Sequence, residues 1–223
     1  RPPRTKKRGC SMIRVTPQPE PSSFDGKVRK PGFYALLEQI GSPAAPKRRG
    51  PKRRIYPCLA AIPSSKLKPT WTECLPELRG AYDEICAYLG LRIQPHTGGA
   101  TVDHFLPKSK YRRHAYEWSN FRLAARPVNT KKGEHQVLDP FHVDPAHFEF
   151  QFSNGRLVAS LKFPKDVQDA TATAIAVLDL NAPTYMATRL QGVDDFLHKR
   201  IDRSVLERDY PIVAHHLARG GDL

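Results

Sequence analysis

Residues 101–109 read TVDHFLPKS. A β-branched pair runs into adjacent Asp103 and His104, then Phe105, Pro107 and Lys108. Successive side chains of a strand point to opposite faces. One of the two polar groups at the strand end must then face an apolar interior, a costly place unless something pairs with it. The neighbouring sequence supplies candidates. NFRLAA (120–125) reads as a second strand. RPVNTKKG (126–133) reads as a short helix, with Pro127 near its start, lysines in its last turn and Gly133 at its end. Strand, loop, strand, helix predicts a ββα unit in an α+β fold.

Upstream, LPELRGAYDEICAYLGL (75–91) places Leu78, Tyr82, Ile85, Cys86 and Leu89 at helical spacing, which predicts one helix ending near Gly90. Residues 12–70 are rich in proline, with one short helix candidate, PGFYALLEQIG (31–41). Downstream, HFEFQFS (147–153) and RLVASLKF (156–163) alternate around Asn154-Gly155, the signal of a two-residue hairpin. Helices are predicted over 166–180, 184–201 and 204–220, the last interrupted at Pro211. The expected organisation is a basic, Pro-rich arm (1–70), a ββα core with flanking helices (71–145), and an extra β-hairpin plus helices packed on it (146–223).

The net charge is +14, and residues 1–54 hold 15 Lys or Arg against 3 Asp or Glu, so the excess is front-loaded. Such an arm reads as a contact for a polyanion, nucleic acid first, or as a solvated tail. KRRGPKRR (47–54) reads equally as a solvated loop or as a basic hook for a narrow minor groove. No apolar run approaches the roughly 18–20 residues of a membrane span. No apolar stretch follows the basic start as in a signal peptide, so a cytoplasmic protein without membrane contact is expected. Met12 reads as a natural start, with residues 1–11 an upstream extension or an added segment. Cys10, Cys58, Cys74 and Cys86 form no CxxC pair, so free thiols are expected.

A hairpin packed on a helix brings the end of its first strand to the helix face. Asp103 and Asn129 are then candidate oxygen ligands for one cation, and His104 points toward a scissile group. A neutral imidazole can take a proton from water near pH 7, and a divalent ion can act on phosphate oxygens. Asn120 cannot titrate, but its amide can fix nearby backbone or the imidazole ring. Lys108, Arg112, Arg113, Lys131 and Lys132 are candidate phosphate contacts. Tyr116 and Trp118 are expected in the core. Oxygen donors alone favour Mg²⁺ or Mn²⁺ over Zn²⁺.

The stretch VDHFLPKS…YEWSNFRLAA…VNTKKGE resembles the motif of HNH nucleases, the His-Me finger group. The resemblance implies a ββα-metal fold and hydrolysis of nucleic-acid phosphodiesters, DNA favoured over RNA. It implies Asp103 as first metal ligand, His104 as general base, Asn120 as the central Asn and Asn129 as second ligand. AYDEICAYLGLRI, VNTKKGEHQVLDPF and VLDLN extend the likeness to the small HNH subunits of Septu-type and retron-linked bacterial anti-phage defence systems. Those imply an ABC-like ATPase partner. Many relatives carry CxxC pairs that bind a structural zinc; this chain has none, so no structural zinc is expected. The competing class is a non-catalytic nucleic-acid-binding or scaffolding subunit on a retired HNH fold.

Overall fold

The computed structural model describes residues 15–45, 55–94 and 99–220. Residues 1–14, 46–54, 95–98 and 221–223 lie outside them, and with them the stretch 47–54 read above as a solvated loop or a basic hook. The architecture is α+β, with two small antiparallel sheets of two strands each among many helices. The described residues form two compact units, one drawn from 17–84 and 93–137, the other from 15–16, 85–92 and 138–220. Among the described residues, no helix is long and apolar enough to cross a membrane.

In the first unit, α1 (Lys30–Gln39) follows a wider π-turn, and α2 (Leu75–Ala81) follows a 3₁₀ turn over Thr70–Cys74. Next come β1 (Ala100–His104), β2 (Phe121–Ala125) and α3 (Arg126–Lys132). The strands pair in register from Ala100 opposite Ala125 to His104 opposite Phe121. Residues 17–70, expected as an arm, contribute to this unit's core: Phe24, Val28, Leu36 and Ile62 are essentially fully buried. The Phe24 ring packs edge-on against Trp118 and Phe121 at 5.5 and 5.7 Å. Tyr116 and Trp118 are buried, as expected.

α1 depends on a missing side chain. A Cβ on Gly32 would fall 2.2 Å from the Tyr116 ring, whereas one on Gly80 in α2 would meet nothing within 4 Å. Gly80→Ala should raise stability by about 0.5–1 kcal/mol through helix propensity. Gly32→Ala has the same propensity gain, but overpacking costs about 1–3 kcal/mol, so its urea midpoint should fall below wild type while that of Gly80→Ala rises.

The helix predicted over 75–91 stops at Ala81. Asp83 and Glu84 take positive φ, and residues 85–92 then fold back, with Ile85 bridged to Arg92. Cys86, Ala87, Tyr88 and Leu89 are buried consecutively, so no amphipathic face existed to sustain a helix.

In the second unit, β3 (Phe148–Gln151) and β4 (Arg156–Ala159) form the expected hairpin, but four residues connect them, not two. Only Gly155 takes positive φ (75°). Asn154 instead accepts a hydrogen bond from the Arg156 amide through its side chain. A two-residue type I′ turn needs both central residues at positive φ. The helices are α4 (Lys165–Val177), α5 (Pro183–Leu197), α6 (Arg203–Asp209) and α7 (Pro211–Gly220), with the break at Pro211 where the sequence puts it.

α7 carries a buried histidine. His216 is 8% exposed, its Nε2 has no hydrogen-bond partner, and the groups acting on it are His215, Arg219 and Arg189. Burial first, then these positive neighbours, pull its pKa down to about 3. It folds neutral, while the unfolded chain takes up the proton near pH 6.5. The stabilisation is therefore complete above that value and is lost as pH falls toward about 3. Between pH 7 and 4.5 the loss from this group should be about 2–3 kcal/mol. Urea titrations at both pH values should show wild type losing that much more than His216→Leu.

Candidate active site

α3 is positioned by β2, which runs directly into it. Ala125 ends the strand extended, and the Arg126 amide then donates to the Gly99 carbonyl at 3.0 Å. Val128 on α3 and Ala124 and Ala125 on β2 are fully buried. Gly133 closes the helix at φ 49°, its amide bonded to the Asn129 carbonyl.

Two spacings then match. On β1, Thr101 and Asp103 share a face because a strand repeats every two residues. On α3, Asn129 and Lys132 share a face because a helix brings residues three apart into line. Asn129 Nδ2 donates to Thr101 Oγ1 at 3.1 Å and to the Val102 carbonyl at 3.3 Å. Lys132 Nζ lies 3.1 Å from Asp103 Oδ1, and donates to the carbonyls of His104 and Phe105 at 3.0 and 3.2 Å. Lys132 is 0% exposed and Asp103 3%. The costly buried carboxylate thus has its counter-charge.

This corrects Lys132 as a phosphate contact: its ammonium is spent on the end of β1. Arg112 is corrected likewise. It is 9% exposed, and its guanidinium donates to the carbonyls of Ile62 (2.7 Å) and Lys108. Arg113 and Lys131 are exposed, and Lys108 is half-buried.

His104 is 6% exposed, its ring edge-to-face with Trp71 at 4.8 Å and Phe121 at 5.2 Å. Nε2 is 3.0 Å from the Ala115 carbonyl oxygen. A carbonyl only accepts, so Nε2 carries the hydrogen and neutral Nδ1 keeps its lone pair. Burial, and then the positive charge of Lys108, pull the pKa down to about 3, so the imidazole is neutral near pH 7.

Asn120 is 4% exposed and acts on backbone, not on the ring. Its Oδ1 accepts from the Leu106 amide at 2.7 Å. Its Nδ2 donates to the carbonyls of Leu106 and His114 at 3.1 and 3.0 Å. One side chain thus staples Leu106 to His114 within the connection after His104, which makes Asn120 a positioning residue.

Asp103, His104 and Asn129 line one cavity of about 500 Å³, together with Lys108, Arg126 and Trp71. Trp71 escaped sequence reasoning because its segment, KPTWTEC, has no periodic pattern. Arg122, opposite Asp103 in the sheet, also escaped; it is 3% exposed and donates to the carbonyls of Ser119 and Phe121. Among the described residues, no three His, Cys, Asp or Glu side chains cluster closely enough to hold a metal ion. A scan against protein-family models and a search of curated proteins both return no match to this chain.

Proposed function

We propose that the chain is a metal-dependent endonuclease of the HNH, or His-Me finger, kind, with β1, β2 and α3 as its ββα-metal core. One observation carries the reading. A neutral imidazole with its tautomer set by the Ala115 carbonyl shares a cavity with a carboxylate and a carboxamide.

The donors suit a hard cation. Asp103 offers a carboxylate and Asn129 an amide oxygen, since its Nδ2 is committed to β1. Two oxygen donors match Mg²⁺ or Mn²⁺, which leave several positions to water and phosphate. When bound, such an ion supplies charge stabilisation to the phosphate and its leaving oxygen. The rest is done by this chain's own groups. His104 Nδ1 takes the proton of the attacking water. The water oxygen forms the new P–O bond as the bond to the leaving sugar oxygen breaks, and solvent water protonates that oxygen while His104 later releases its proton to solvent, giving a phosphate monoester and an alcohol. Asn120 holds the loop that fixes the base. Lys108 and Arg126, both lining the cavity, attract the substrate's phosphates, with Arg113 and Lys131 as outer contacts.

The target class is nucleic acid, DNA favoured over RNA, and the front-loaded positive charge of residues 1–54 supports a polyanionic substrate. The sequence likeness to anti-phage HNH subunits supports a defence role beside an ABC-like ATPase. The test is cleavage of plasmid DNA and of single-stranded DNA and RNA with Mg²⁺ or Mn²⁺. Product is expected with either ion and none in EDTA. Cleavage undiminished in EDTA, or none of any substrate with the ATPase supplied, would overturn the reading.

A further inference from the structure

The cavity has a second wall that the hydrolysis does not use. Facing β1 and α3 are Ser64, Trp71 and Leu75, with Ser109 beside Lys108. Trp71 is half-buried. One side of its ring is taken up by buried Tyr116, tilted at 34° with centroids 5.8 Å apart. Lys108 Nζ lies over the ring, 5.5 Å from its centroid, and Lys108 lines the cavity too. The indole lines the cavity between the His104 ring, perpendicular to it at 4.8 Å, and the flexible Lys108 side chain. The Ser109 hydroxyl is buried and has no hydrogen-bond partner. An aromatic plane, a neighbouring cation and an unsatisfied hydroxyl in one cavity match a nucleobase and its phosphate.

Resting on the endonuclease reading, we propose that the Trp71 wall is a nucleobase subsite for the nucleotide beside the cleaved phosphate, and that the substrate is single-stranded there. A base within a duplex stacks on its neighbours and cannot lie on Trp71. Lys108 leaves the indole face and pairs with the phosphate as the base enters.

The test is binding in EDTA, so cleavage plays no part. Tryptophan emission is followed while the protein is titrated with a short single strand, the same strand with abasic sites, and the matched duplex. Trp118, 5% exposed, provides a constant background. The base-bearing strand should quench emission and bind more tightly than the other two. The variants lack the reporting indole, so their affinities are read from the anisotropy of fluorescein-labelled ligands: Trp71→Ala should weaken the base-bearing strand alone by about five- to a hundredfold, and Trp71→Phe, which keeps a ring against His104, should restore most of it. Equal binding of base-bearing and abasic strands, or equal weakening of every ligand by Trp71→Ala, would overturn the proposal. Base-dependent quenching without cleavage under any metal ion keeps the subsite and removes the endonuclease; cleavage without base dependence does the reverse.

Discussion

His104→Ala should lower cleavage by about 10²–10⁴-fold, the range for losing a positioned general base, while leaving nucleic-acid binding within a few-fold of wild type. The imidazole makes two different contributions, and they must be separated. Its ring fills space between Trp71 and Phe121, and its Nε2 hydrogen bonds to the Ala115 carbonyl. Alanine removes both, as well as the lone pair at Nδ1. Glutamine retains bulk and an amide donor for the carbonyl but has no basic nitrogen. If His104 is the base, His104→Gln should be as inactive as His104→Ala and melt closer to wild type. If the histidine is only a core residue, activity should follow stability, and His104→Gln should recover cleavage. Measuring cleavage rate and melting temperature for the same three proteins decides between them.

The strand pair and α3 were legible because their local signals agree. A β-branched pair opens β1, apolar Phe121 and Leu123 mark β2, Pro127 and Gly133 bracket α3, and the observed bounds lie within a residue or so of those expected. Lys132 was legible in principle. At about 100° per residue, position 132 falls near Asn129 on the helix while 131 falls almost opposite, so only one of the two lysines can accompany Asn129 onto β1. Chemistry led the other way, because a lysine beside a stretch that resembles a nuclease motif suggests phosphate. Trp71 and the buried cluster Phe24, Val28 and Leu36 were not legible. They come from Pro-rich sequence and irregular turns, where burial is set by distant partners and leaves no periodic trace. The break after Ala81 was hidden for the opposite reason: helical spacing was present, but residues 86–89 are buried on every side.

The second large effect concerns the ion pair beneath the site. Lys132→Met should cost about 3–5 kcal/mol, and Asp103→Leu a similar amount, since each leaves a desolvated charge without its partner. Asp103→Leu has one mitigation: the ammonium keeps the carbonyls of His104 and Phe105. Lys132→Met leaves Asp103 at 3% exposure beside two carbonyl oxygens that lost their donor. Replacing both should cost far less than the sum, because a buried pair exchanged for apolar groups of similar volume is often neutral. A double-mutant cycle by urea unfolding should give a coupling of at least about 2 kcal/mol. Additive losses would show that the two residues act separately and that the pair does not hold β1 to α3. The same variants separate stability from chemistry. If Asp103 is a metal ligand as well as an ion-pair partner, the double variant should regain stability and remain inactive, since methionine and leucine restore packing but supply no oxygen.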